Sequence, residues 1–475
     1  MRAVISPHRF EGVYRVPASK SHTIRRLLIA SLAEGTSILE DPLDSLDARS
    51  CVQVCRAFGA TIEEVREAPG GSATDAGATG PAGGAPAGGA PAGGGSANPV
   101  GADGKRLARW IVTGVGAGSG GGKLRTPEDV VDVGNSGTTL YLALALAALG
   151  DGLTVFTGDE QIRRRSAGNL LGALTVLGAR AESTRSNGCA PLVVGGPWRG
   201  GRARLECPTS QYLSAILLAA PLAAAGTITE LDIPLLNERP YVEMTLAYLD
   251  AQGVSYEASA DRSFFRIPGG ARYKPVNGLV GGDFSSAAFP ACAAAISGGT
   301  VTLLGLDPED TQGDKAVFEM LTRMGCGVEW KRGDEGWTVT VSRAGELVGA
   351  DLDLNATPDA LPSLAAVACY ARGETGLLNV ANARIKETDR IAVMAAELRS
   401  LGASIEELPD GLVVRGGRQL RGGMVDGHDD HRVVMALAIA ALGASGPIGI
   451  DTAESAAVTY PGFLELLRAG ILGPN

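Results

Sequence analysis

Six times along the chain, a short polar turn gives way to a run of almost wholly apolar residues rich in Ala and Leu, then to Gly and a short β-rich stretch. The copies begin at Ser19-Lys-Ser-His-Thr, Gly134-Asn-Ser-Gly-Thr, Pro208-Thr-Ser-Gln, Gly282-Asp-Phe-Ser, Thr357-Pro-Asp-Ala and Asp429-Asp-His-Arg. Each turn supplies Ser, Thr, Asp or Asn, whose side chains accept from the free N–H groups at a helix start. A helix that is apolar nearly all round belongs inside a domain. Second helices end in Phe58-Gly-Ala, Leu177-Gly-Ala, Met324-Gly-Cys and Leu401-Gly-Ala, where Gly serves as the C-cap and a strand begins. The copies recur roughly every 70 to 80 residues once one insert is set aside. The predicted fold class is therefore α/β, with two similar domains of three units each.

The insert runs from 68 to 104 and consists of Gly, Ala, Pro and Ser with hardly any large apolar residue. Such a segment cannot bury enough surface to offset its ordering entropy, so a disordered loop is expected. Gly114-Val-Gly-Ala-Gly-Ser-Gly lacks the Gly-Lys-Ser/Thr of a phosphate loop and reads as a flexible extension of the same loop.

Composition narrows the function. The chain has 475 residues, 45% hydrophobic and 20% charged, with a net charge of −10. An acidic chain is a poor partner for nucleic acid or an anionic membrane. Its Leu/Ala runs are too short to span a bilayer. The seven cysteines are scattered and odd in number, which predicts reduced thiols used as core filler. With no apolar signal core near Met1, a cytoplasmic location is expected.

The helix starts carry the candidate chemistry. If equivalent buried helices run parallel, their N-termini gather on one face and present free N–H groups and positive dipole ends to an anion. Lys20, Ser21 and Arg25 decorate the first start. Asn135, Ser136, Gly137 and Thr138 decorate the second, and Arg163, Arg164 and Arg165 follow it. Thr209, Ser210 and Gln211 mark the third, Asp359 the fifth, and Asp430, His431 and Arg432 the sixth. Lys386-Glu-Thr-Asp-Arg390 opens a second helix. One basic residue near a helix start is commonly just a solvated surface group. Recurrence across several copies of an acidic chain is what singles this set out. Arg163 and Arg164 are set aside as surface groups, because three adjacent helical residues cannot share a face. His428 and His431 lack a third metal ligand, so capping or network roles are expected for them.

Pro17-Ala-Ser-Lys-Ser-His-Thr-Ile-Arg, Gly134-Asn-Ser-Gly-Thr, Thr209-Ser-Gln, Gln312-Gly-Asp, Pro358-Asp, Lys386-Glu-Thr-Asp-Arg and Asp430-His-Arg, in this order, resemble the enolpyruvyl transferase family in its shikimate-pathway branch. The resemblance covers the chain outside the insert. It implies two domains of three βαβαββ units closing over a cleft. The chain would cross between them near Ser19 and Asp283, giving one domain of 1–18 plus 283–475 and another of 19–282. It implies a monomeric transferase of aromatic amino acid biosynthesis that moves the enolpyruvyl group of phosphoenolpyruvate to the 5-hydroxyl of shikimate 3-phosphate. No metal or organic cofactor is implied.

Carried over residue by residue, Lys20, Ser21, Arg25, Thr209, Ser210, Gln211, Asp359, Asn382 and Lys386 would bind shikimate 3-phosphate. Lys20, Gly137, Arg165, Gln211, Arg390 and Arg432 would surround phosphoenolpyruvate. Asp359 would take the proton of the attacking hydroxyl, and Glu387 would protonate the methylene carbon with Lys20 close by. Three positions depart from the better-known pattern: Tyr141 where Arg is common, Glu238 where a shikimate-binding Ser is common, and Val458 where Lys is common. The rival readings are a UDP-sugar enolpyruvyl transferase, which would work with a loop cysteine, and a non-catalytic paralogue that only binds shikimate phosphates.

Overall fold

A helix with no polar face must be enclosed, and the buried helices of this protein are. In the computed structural model, which describes residues 1–68, 97–101, 103–118, 123–334 and 336–469, every residue of Gly137–Ala147 and of His431–Ala441 is buried. Lys20–Leu32, Ser210–Ala219, Phe284–Ser297 and Leu361–Tyr370 are nearly so. Ser19, Ser136, Thr209, Asp283 and Asp430 cap their helices by accepting from backbone N–H groups of the first turn. The fifth helix departs from the expected cap. A 3₁₀ turn, Pro358–Ala360, leads into it without a side-chain cap, and the Thr357 hydroxyl instead donates to Asp314 Oδ1 at 2.6 Å.

Among the described residues, five of the six units share one sheet order. A lead strand runs parallel to the strand after the buried helix, and two antiparallel strands complete the sheet. In the second unit these are Val131–Asp132, Leu153–Thr157, Leu192–Gly195 and Arg180–Ser183. Two lead strands are exchanged along the chain. Gly12–Arg15 precedes the first helix yet pairs with Thr300–Leu304 of the fourth unit. Gly278–Leu279 precedes the fourth helix yet pairs with Thr36–Glu40 of the first. The two connecting segments lie side by side, with Ser19 N donating to Gly281 O at 2.8 Å and Asp283 N to Pro17 O at 2.9 Å. One hydrophobic core gathers residues from Ala3 to Val16 and from Phe284 to Leu467, and the other gathers residues from Ile24 to Tyr273. The predicted class, α/β with two similar three-unit domains, is the fold observed.

The expected disordered loop at 68–104 lies largely outside the described residues, but its far end is anchored. Asn98 is buried, accepts from Asp44 N at 2.9 Å and donates to the carbonyls of Pro42 and Leu107. The flexible extension expected at Gly114 is also corrected over its described part. Amides of Val115, Gly116 and Ala117 donate to the carbonyls of Ser31, Ala33 and Leu32, closing the C-terminus of the first helix. A Cβ on Gly114 would sit 2.3 Å from Ala33 O, so close approach of two backbones requires glycine there. All seven cysteines are buried and unpaired. Among the described residues no helix is long and apolar enough to cross a membrane.

Candidate active site

The helix starts of the two halves face each other across a cavity of about 630 Å³. A smaller chamber of about 50 Å³ adjoins it and shares Lys20, Thr138, Gln211, Asp359 and Lys386 as walls. Gly137, Arg165, Thr209, Asn382 and Glu387 line the larger space, and Ser21, Arg25, Ser210 and Arg432 line the smaller. Every residue assigned to a substrate or to catalysis except Arg390 thus lines one or both, whereas Asn135, Ser136, Asp430 and His431 of the marked helix starts line neither. Arg390 lies one layer back and is only 1% exposed. It donates from Nε to Asp430 at 2.8 Å, from Nη1 to Asp359 at 2.8 Å and from Nη2 to Glu387 at 2.6 Å. One guanidinium therefore fixes Asp359 and Glu387 on the same wall.

The cations of the site are matched by internal carboxylates. Lys20 Nζ lies 3.1 Å from Asp47, Arg165 Nη2 2.8 Å from Glu387, and Arg432 Nη2 3.5 Å from Asp359. Lys386 pairs with Glu238. The matching is incomplete. Arg432 Nε and Nη1 and Arg165 Nε and Nη2 are buried without an aligned hydrogen-bond acceptor in the protein. For Arg165 Nη2 the approach to Glu387 is a charge contact with poor hydrogen-bond geometry. Buried guanidinium N–H groups left this way suit an incoming carboxylate or phosphate. Arg25 is different. Its donors already serve Thr245 Oγ1, Ser21 O, Ser214 Oγ and Tyr241 O, and burial lowers its pKa to about 10.

Charge pairing also sets protonation. Burial alone would raise the carboxyl of Asp359, but Arg432, Lys386, Arg390 and Lys20 outweigh it and hold the group far below the usual carboxylate range. With 24% of the side chain exposed, the cations count for more than desolvation. For Glu387, burial is likewise overcome, chiefly by Arg165 and Arg390, and its carboxyl is held well below the ordinary value. Both are therefore anions among these neighbours. Burial depresses the imidazole of His431 to about 3, so it is neutral at physiological pH.

Some participants were not singled out from the sequence. Asp47 faces Lys20 from the first turn of Leu46–Ala57, where an acid reads as ordinary helix-start decoration. Gln161 donates to Asp429 O at 3.1 Å and ties the two halves together at the cavity edge. Asp314, of the quoted Gln312-Gly-Asp, accepts from Tyr241 of one half and from Ser285 and Thr357 of the other. Arg164, set aside as a surface group, reaches the cavity rim while pairing with Glu160. Of the departures, Tyr141 lines the wall, donates to Ser166 O at 3.2 Å and packs edge-on against Tyr212. Val458 is partly buried and is not part of the cavity lining.

Fold and site together define a two-domain α/β protein whose cleft is built for small polyanions. The family described as EPSP synthase (3-phosphoshikimate 1-carboxyvinyltransferase) matches residues 4–77 and 108–467. A 3-phosphoshikimate 1-carboxyvinyltransferase of Acetivibrio thermocellus is 49% identical over 456 residues, covering 96% of this chain and 95% of the relative. One from Halobacterium salinarum is 40% identical over 474 residues, covering 98% of each. The EPSP synthase structure from Acinetobacter baumannii superposes with a TM-score of 0.73 at 27% identity, covering 99% of this chain and 98% of the other. The chain belongs to the EPSP synthase family.

Proposed function

We propose that this protein transfers the enolpyruvyl group of phosphoenolpyruvate to the 5-hydroxyl of shikimate 3-phosphate and releases phosphate. The observation that carries the reading is the polyanion cleft in which the marked helix starts of both halves meet a carboxylate pair fixed by one arginine. In this reading shikimate 3-phosphate spans the two chambers, against Ser21, Thr209, Ser210, Gln211, Asn382 and Lys386. Arg165, Arg432, Lys20, Gly137 and Gln211 surround phosphoenolpyruvate, and Arg390 supports that wall from behind.

The enolpyruvyl group keeps its double bond, so the hydroxyl must add across it and a proton and phosphate must then leave. Asp359 accepts the hydroxyl proton while oxygen bonds to C2. Glu387 delivers a proton to the methylene carbon and takes one back as the C2–O bond to phosphate breaks. Cations carry the departing charge. Beside Arg165 and Arg390, Glu387 is ionised and has no proton to give. Phosphoenolpyruvate supplies the remedy: its anionic groups neutralise Arg165, which lets the carboxyl of Glu387 rise toward a value suited to an acid.

Cys189 is buried, donates to Arg164 O at 3.4 Å and does not line the cavity, which disfavours the thiol-using UDP-sugar chemistry. Phosphate release, assayed with each substrate omitted in turn, tests the reading. Release should require both phosphoenolpyruvate and shikimate 3-phosphate. Equal release with UDP-N-acetylglucosamine, or none with the proper pair, would overturn it. We further read the protein as a cytoplasmic monomer.

A further inference from the structure

Glu238 precedes the Arg239–Gln252 helix with a left-handed backbone, φ 57°, and is only 3% exposed. Its two oxygens collect five donors. Oε2 accepts from the Thr209 hydroxyl at 3.1 Å, the Ser210 amide at 3.1 Å and the Ser210 hydroxyl at 2.8 Å. Oε1 accepts from Asn382 Nδ2 at 3.2 Å and from the Lys386 ammonium. Hydroxyls and an amide at a helix start, joined by a side-chain amide and an ammonium, form the donor set that a phosphate monoester takes. All four donor residues belong to the shikimate 3-phosphate set proposed above. A dianionic phosphoryl group and a buried carboxylate cannot share them, since like charges at contact distance repel strongly away from water.

We propose that Glu238 is an internal stand-in for the substrate phosphate. It fills the phosphate cradle in the ligand-free protein, and shikimate 3-phosphate binds by displacing it. The inference rests on the assignment of that cradle in the proposed function. Ejection has a route in the backbone. A non-glycine residue at positive φ is held there by its contacts, so losing them lets the segment relax. Filled, the cradle keeps Lys386 paired and its buried donors satisfied while no substrate is present. The cost falls on binding, because the phosphoryl group gains only the difference between its own contacts and those of the carboxylate.

Calorimetric titration of the full-length protein with shikimate 3-phosphate and with unphosphorylated shikimate tests this, using wild type, Glu238→Ser and Glu238→Gln. Thermal melts establish that each variant is folded. Glu238→Ser should tighten shikimate 3-phosphate by about tenfold or more, the scale of one charge-assisted contact no longer displaced. Shikimate, which has no phosphate to compete, should change by less than about twofold, a difference no larger than ordinary context effects. Glu238→Gln, similar in shape but uncharged, should fall between wild type and Glu238→Ser, and it decides the matter if Glu238→Ser does not fold. Unchanged or weaker binding of shikimate 3-phosphate to folded variants overturns the inference and makes Glu238 a brace of the site. Equal tightening of both ligands also overturns it. Wild type that neither binds nor turns over shikimate 3-phosphate would instead sink the functional reading, and this inference with it.

Discussion

From the half with the Ile24–Tyr273 core, the cleft receives chiefly neutral side chains, Ser21, Thr138, Thr209, Ser210 and Gln211 among them, beside the charged Lys20, Arg25, Asp47, Arg165 and Glu238. From the other half it receives Asp359, Lys386, Glu387 and Arg432 at the wall, with Arg390 and Asp430 behind. Both faces are built from the same kind of helix start, so architecture does not account for the difference. Hydroxyls and amides orient an anion without changing protonation themselves. Coupled carboxylates and guanidinium groups can exchange protons, and they change state when an anion enters. On this reading one half holds the substrates in place and the other moves the protons.

The strongest way to break the contrast is Asp359→Asn. It should lower kcat by roughly 10² or more, the usual scale for removing a general base, in steady-state assays saturated with both substrates. A fall confined to KM would return Asp359 to the positioning side. Gly137→Ala probes the opposite face and should have a smaller effect. The new Cβ would lie 2.4 Å from Arg165 Nη1, the far end of a flexible side chain, so the guanidinium shifts and the fold survives. The KM for phosphoenolpyruvate should rise about tenfold, as for one weakened charge-assisted contact, with little change in affinity for shikimate 3-phosphate. If both substrates weaken equally, the two subsites are not separated as proposed. The smallest effect belongs to a region outside the comparison. Deleting residues 70–96 should leave activity and melting temperature nearly unchanged, because the segment has few groups able to pack. The cut stops before Asn98, whose buried hydrogen bonds to Pro42 and Leu107 would otherwise be lost.

Most of the first-half face was legible in the sequence. Ser19, Ser136 and Thr209 each announce a helix by capping it, and the apolar runs behind them have no alternative to burial. Lys386-Glu-Thr-Asp-Arg was legible as a dense charge motif, though its pairing with Glu238, 148 residues away, was not. Glu238 read only as a missing Ser, since nothing local distinguishes a buried carboxylate from a surface one. Asp47 hid for the same reason. At Gly114 composition suggested flexibility, whereas the close approach of Ala33 O explains the glycine, and that approach exists only once the first helix is packed. Local rules found the elements and the donors; the partners that neutralise those donors come from distant segments and needed the fold.

Glu387→Gln tests the division of labour most directly, because it changes one atom of the charged wall and leaves the hydroxyl face untouched. Turnover and the dissociation constant for shikimate 3-phosphate should be measured on the same preparation. Turnover should fall by roughly 10² or more, the scale expected when a general acid is lost, while shikimate 3-phosphate binds within about threefold of wild type. Near-normal turnover, or loss of binding in step with turnover, would contradict the account.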